Sequence, residues 1–303
     1  MPELPEVETI KNELLPHIIG QHVTDVSLFW QGIVRQPSVE EFCSRLIGQG
    51  ITGVNRRGKY LIFGLTSDEV LIIHLKMSGS LLLKPASAEP DKYVRAILYL
   101  NEGTALHFRD PRKFGVMWLA EEQNAVVGKL GPEPLEDSFT PQLLTQRLAN
   151  RTAPIKALLC DQNLIAGIGN MYADEALFAA RIHPLRSGRS LSSEEIERLH
   201  QSIQQVLRSA IGNKGASVDT YFVLVVNGGQ PTFSFRLPIG VVKLVPFVAL
   251  PLSVFLSETA AVTSVLSASH NLNPRVGRAG THPSLASHKQ PRGMSSGSCR
   301  QPV

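Results

Sequence analysis

Cysteine is scarce in this chain. Three residues, Cys43, Cys160 and Cys299, are spread over 303 positions, and no two form a Cys-x-x-Cys pair. This excludes a disulfide framework and a zinc site of closely spaced thiolates, and it fits a reducing cytosol. Long apolar runs are also missing. The longest uncharged one, residues 244–257, covers 14 positions and contains two prolines, too short for a membrane span. Glu3, Glu6 and Glu8 break up the start, so no secretory leader is expected. Acids nearly vanish from the C-terminal part: residues 223–303 hold seven Lys and Arg against the single acid Glu258. The formal charge of +4 therefore belongs to the tail, and the first 222 residues are slightly acidic. Overall basicity carries no argument for nucleic-acid binding, which must rest on local clusters. There is no internal repeat.

What is present reads as an α+β chain. Residues 6–19 place Val7, Ile10, Leu14 and Ile18 on one helical face, with Gly20 as a stop. Pro16 is expected to kink that helix or end it early. Strand-like runs follow: 59–65 and 70–76 around a Thr-Ser-Asp-Glu turn, 93–100 and 104–109 around Asn-Glu-Gly, then 114–120. Short antiparallel strands with flanking helices predict an N-terminal β-sandwich over residues 1–130. Gly131-Pro132-Glu133-Pro134 marks a linker over 131–136. Residues 137–222 turn helical: a short helix at 154–161, a turn region at 162–169, a helix at 170–180, and a longer one opened by the capping box Ser192-x-x-Glu195 and ended by Gly212. Residues 223–303 change character and read as an irregular tail, disordered from about Ser267.

The first nine residues, Met-Pro-Glu-Leu-Pro-Glu-Val-Glu-Thr, carry the sharpest chemistry. Once the initiator methionine is removed, Pro2 presents a free secondary amine. An α-amino group has a pKa of roughly 8, so part of it is unprotonated near neutral pH. Such an amine can attack a sugar carbon and go on to an iminium ion. Glu3 beside it can give or take a proton.

With this opening in place, four further segments complete a pattern. They are 74–80 (His-Leu-Lys-Met-Ser-Gly-Ser), 110–115 (Asp-Pro-Arg-Lys-Phe-Gly), 130–135 (Leu-Gly-Pro-Glu-Pro-Leu) and 167–177, which leads into Ile182-His183-Pro184. In this order over roughly residues 1–220, the chain resembles the formamidopyrimidine-DNA glycosylase family. The resemblance implies a helix–two-turn–helix domain after the sandwich. It implies a bifunctional glycosylase and abasic-site lyase that removes oxidised purines, formamidopyrimidines and 8-oxoguanine, through an iminium on Pro2 followed by β- and δ-elimination. Its partner would be double-stranded DNA with an oxidised purine or abasic site, and the protein would be monomeric and reside in a bacterial cytosol or nucleoid. Leu4 favours this purine branch over the related endonuclease VIII branch, which opens Pro-Glu-Gly-Pro-Glu.

The same resemblance assigns roles by position. Glu3 would assist sugar opening. Glu6 matches a buried carboxylate near the site, which is compatible with a plain helix-N-terminal acid. Lys59 aligns with a lysine at the phosphate beside the lesion; on its own, the 56–60 stretch Arg-Arg-Gly-Lys-Tyr reads as a solvated charge run. Met77, Arg112 and Phe114 match the residues that fill the hole left by a flipped nucleotide. Pattern alone favours core packing for Met77 and Phe114, but their Ser/Gly-rich and Pro-Arg-Lys contexts favour loop tips. Lys156 and Asn170 fall in the helix–two-turn–helix region. Asn170 there is either a helix N-cap or part of a phosphate site, and the two roles are compatible. His74 and His107 read as structural.

The resemblance stops near residue 222. The family normally ends in a zinc finger held by four cysteines, and this chain has no cysteine between Cys160 and Cys299. No structural zinc of that kind is expected, and no other cofactor. The composition of the tail suggests finger-coding sequence read in a shifted frame; a zincless finger is the alternative. A weakly active or inactive remnant is thus a second functional reading, and a module binding DNA through its basic tail is a third.

Overall fold

The computed structural model describes residues 2–215. The tail reading, the frame-shift idea and the finger all concern residues outside that range. Helix α1 (Leu4–Ile18) opens the fold. It runs on through Pro16 rather than ending early. Pro16 lies in the last turn, where the missing N–H costs only the bond to the carbonyl of Asn12, a solvent-exposed residue. Then come β1 (Val23–Leu28), β2 (Val34–Gln36), α2 (Val39–Leu46), β3 (Ile51–Arg57), β4 (Tyr60–Leu65), β5 (Val70–His74), β6 (Ser80–Pro85), β7 (Val94–Leu100), β8 (Thr104–Arg109) and β9 (Val116–Ala120). Two sheets form, in orders β1-β7-β8-β6 and β2-β9-β5-β4-β3. All pairs are antiparallel except β2 with β9.

Alternation along the strands sets the layers. On β5, Leu71 and Ile73 face the main core with Leu61 and Phe63 of β4. Ile72 faces outward, where Ile62 and Val127 of the short helix α3 (Asn124–Val127) cover it. Phe42, Cys43 and Leu46 of α2 and Val7, Ile10, Leu14 and Ile18 of α1 join the main core.

The second half is helical: α4 (Pro141–Leu148), α5 (Ile155–Cys160), α6 (Asn170–Ala180) and α7 (Ser193–Gly212). Its separate core is built by Leu144, Leu159, Tyr172, Leu199 and Ile203, among others. Leu4 belongs to this second core although it starts the helix that packs on the sandwich. The N–H of Leu4 donates to the carbonyl of Gly167 at 3.0 Å. One helix thus serves both cores, and its first residues lie in the seam.

Candidate active site

Pro2, Glu3 and Glu6 are all buried at the start of α1. The turn between α5 and α6 receives them. Gln162 braces that turn from within: its amide donates to the carbonyls of Cys160 (2.9 Å) and Ile168 (2.7 Å) and accepts from the N–H of Gly167 (2.9 Å). Gly167 has φ +87°, which a side chain would strain, and a Cβ there would lie 2.7 Å from Leu4.

The first N–H groups of a helix have no partner inside it. At α6 the Glu3 carboxylate takes them, accepting from Gly169 at 2.5 Å and Met171 at 3.1 Å. Gly169 is the N-cap residue and Asn170 the first residue of the helix, so Asn170 is not the cap. The helix N-terminus is met by the protein's own anion. Asn170 stays exposed at the edge, its Oδ1 accepting from the Cys160 thiol at 3.6 Å. A Cβ on Gly169 would lie 2.5 Å from Glu3 Oε1 and 2.7 Å from Lys59 Nζ. Carboxylate and ammonium therefore converge on one glycine.

Burial governs the protonation of both groups. It raises the pKa of Glu3, against the Lys59 charge and the Met171 and Gly169 amides, while Glu6 adds to the rise. It lowers the pKa of Lys59, against Glu3, Cys160 and Glu6. Each is pushed toward its neutral form, the condition for passing a proton. Glu6 stands behind them. Its carboxylate accepts from the Glu3 N–H at 2.9 Å and from the Tyr172 hydroxyl at 2.6 Å. Those bonds tie the start of α1 to α6.

Lys59 is delivered by the β3–β4 turn, and here the solvated-charge reading fails. Arg56 pairs with Glu8 at 2.7 Å and Glu133 at 2.8 Å, and Arg57 with Glu133 at 2.9 Å. The Gly58 N–H also donates to Glu133, at 2.5 Å. Glu133, from the linker, is 4% exposed. Two of the three cations of the stretch are thus neutralised by α1 and the linker, and only Lys59 reaches the seam.

Met77 and Phe114 lie on neighbouring loops and are 45% and 46% exposed, unusual for large apolar residues. The core-packing reading does not hold for them. The Arg112 guanidinium lies 4.8 Å from the Phe114 ring centre. Lys156 is on α5, paired with Asp174 of α6 at 2.9 Å on the surface. His74 accepts from the Lys76 N–H at 2.8 Å, and burial with the nearby Lys76 and Lys59 charges pushes its pKa down to about 3. His107 is fully buried and pushed down to about 4, mainly by desolvation. Both are neutral at working pH, and no cluster of three or more metal-ligating side chains occurs among the described residues.

Sequence reasoning singled out neither Glu133, Gln162 nor Tyr172, and gave no role to Asp110, which takes several loop amides. Only Asp110 left a local signal, an Asp heading a turn.

A proline-headed helix seated in the seam of a two-sheet domain and a helical domain defines a class of two-domain protein that sets an N-terminal proline beside a buried carboxylate and lysine. Residues 1–117 match the family model for the formamidopyrimidine-DNA glycosylase N-terminal domain, and residues 130–221 that for its H2TH domain. The chain belongs to the formamidopyrimidine-DNA glycosylase family. It is 46% identical over 224 residues to the formamidopyrimidine-DNA glycosylase of Chloroflexus aurantiacus, covering 73% of this chain and 80% of that one. With the Geobacillus kaustophilus protein of the same name it shares 43% over 226 residues, 73% and 82% of the two chains. A solved Lactococcus lactis Fpg in complex with abasic-site DNA matches with a TM-score of 0.69 and 37% identity, covering 72% and 82%. The Thermus thermophilus structure gives 0.66 and 38%, covering 73% and 80%.

Proposed function

We propose that this protein is a base-excision repair enzyme that removes oxidised purines from DNA and then opens the strand at the resulting abasic site. The observation that carries the reading is the seam: Pro2 and Glu3 buried together, with the Glu3 carboxylate and the Lys59 ammonium converging on Gly169. The Pro2 nitrogen, freed of Met1, attacks the sugar C1′ as the bond to the base breaks and the base departs with a proton. Glu3, whose carboxyl is pushed toward its protonated form by burial, delivers a proton to the ring oxygen as the sugar opens to an iminium. Loss of a C2′ proton then expels the 3′ phosphate, and a second elimination expels the 5′ phosphate; hydrolysis of the remaining iminium frees Pro2.

Lys59 holds a lesion phosphate, while Asn170 and Lys156 contact the backbone on the helical side. Met77, Arg112 and Phe114 occupy the vacated stack. We place the reaction in the cytosol, carried out by a monomer. No helix among the described residues is long and apolar enough to cross a membrane. The donor set does not fit a four-thiolate zinc: Cys43, Cys160 and Cys299 are one sulfur short.

Borohydride trapping tests the reading, on duplex DNA carrying one 8-oxoguanine and on an abasic duplex. A covalent adduct on both, lost in a Pro2→Gly variant with a blocked N-terminus, is the expected result. Trapping at the abasic site alone would remove base excision from the proposal. No adduct on either would support the inactive-remnant reading, which the missing cysteines favour.

A further inference from the structure

The loops that carry Met77 and those that carry Arg112 and Phe114 come from different parts of the chain. One joins β5 to β6, the other β8 to β9. Between them sits Asp110, with no solvent exposure. Its Oδ1 accepts from the Ser78 hydroxyl and, at 3.1 Å, from the Arg112 N–H. Its Oδ2 accepts from the N–H groups of Phe114 and Gly115, both at 2.7 Å. One carboxylate thus holds the neighbour of Met77, the backbone of Arg112 and the backbone of Phe114.

The loops share a floor as well. A Cβ on Gly79 would lie 2.9 Å from the Phe108 ring, and one on Gly115 closer still. Lys76 and Lys113, one in each loop, take left-handed backbone angles, φ 56° and 58°. That conformation is uncommon for a side-chain-bearing residue and needs outside support.

We infer that Asp110 is a positioning residue that locks the two loops into one rigid wedge, so that prising a nucleotide from the duplex depends on a buried carboxylate that does not itself meet DNA. The inference rests on the proposed function. Its physical basis is preorganisation. Apolar side chains held in water at a fixed spacing lose little freedom when they enter the stack. Loose loops would lose the contest against base stacking.

An Asn cannot substitute. Each carboxylate oxygen accepts from at least one backbone N–H, Arg112 on Oδ1 and Phe114 and Gly115 on Oδ2, so an amide NH2 must confront a backbone donor whichever way it turns. Ser78→Ala is gentler: it cuts only the tie between loops and leaves the three backbone bonds.

The test uses the full-length protein and two readouts. The first is 2-aminopurine fluorescence beside an abasic analogue in duplex DNA, which reports unstacking on binding without any chemistry. The second is the ratio of 8-oxoguanine excision in duplex to borohydride trapping on a single-stranded abasic oligonucleotide, which has no stack to open. Asp110→Asn should lose the fluorescence rise and lower the ratio about 100-fold, and Ser78→Ala about 10-fold. Placing the lesion in an unpaired bubble should bring Asp110→Asn back to within about threefold of wild type. Equal loss on single strands and in the bubble would make Asp110 an ordinary folding residue and overturn the inference, as would unchanged unstacking in both variants. Unstacking without trapping in the wild type would overturn the lyase reading and leave the wedge standing.

Discussion

Around Glu3, charged groups are withdrawn from water and tied across the chain: the Glu3–Gly169 bond links residues 166 positions apart. Around Met77 and Phe114, apolar groups are pushed into water on loops tied within one domain. Each arrangement runs against the ordinary preference of its residues, and each is held by buried carboxylates. At the chemical end, desolvation adjusts protonation, so burial is the functional variable. At the wedge end, exposure is the functional variable, and Asp110 and Phe108 are buried beneath it.

The contrast can be broken first at its chemical end. Gly169→Ala would drive a methyl into Glu3 and Lys59. It should lower both excision and abasic trapping by about 100-fold and destabilise the fold by about 1–3 kcal/mol, read by single-turnover kinetics and denaturant titration. Glu133→Gln comes next. It removes the shared anion of Arg56 and Arg57. The cost should be about 2 kcal/mol, below that of a fully buried pair, because Arg56 keeps Glu8 and Arg57 partly reaches water. A matching drop in trapping would show that Lys59 depends on this turn.

Met77→Ala sharpens the other side. Duplex excision should fall about 10-fold, while urea unfolding moves by no more than about 0.5 kcal/mol because the side chain is exposed. A large stability loss would mean that Met77 is a core residue after all.

The smallest effect is pH-dependent and concerns His74. Its folded pKa is depressed to about 3 from the usual 6.5. Its contribution is therefore present above pH 6.5 and is lost as the pH falls toward 3, because the unfolded chain takes up the proton first. His74→Asn keeps an acceptor for Lys76 without that titration. The melting-temperature advantage of wild type over this variant should shrink between about pH 7 and pH 4. A constant gap would remove the neutral-His assignment.

Legibility in the sequence followed locality. Helix α7 is readable because its capping box, apolar stripe and terminal Gly212 are all local. The box Ser38-x-x-Glu41 that opens α2 was equally local and went unread. Strands β1 and β3 escaped because Thr24, Asp25, Gly53 and Asn55 interrupt their apolar pattern. Pro2 and Glu3 were legible from their own chemistry. Arg56 and Arg57 were misread on their own because their neutralising partner Glu133 lies 76 positions beyond Arg57. Asp110 sat inside a recognised motif, yet its bond to Ser78 spans 32 positions and appears only when the sheets are built.

The seating of Leu4 in the helical core, with Glu3 on the amides of α6, bears on the order in which a ribosome delivers the parts. Synthesis releases the N-terminal strand-forming half first, with the reactive proline already in hand but no turn to receive it. Only when residues up to α6 have emerged can that first segment be stowed, its acid placed and its lysine covered. Chemical competence therefore arrives late in the life of the nascent chain, and a polypeptide cut short before Gly169 carries the amine without the setting that directs it at DNA.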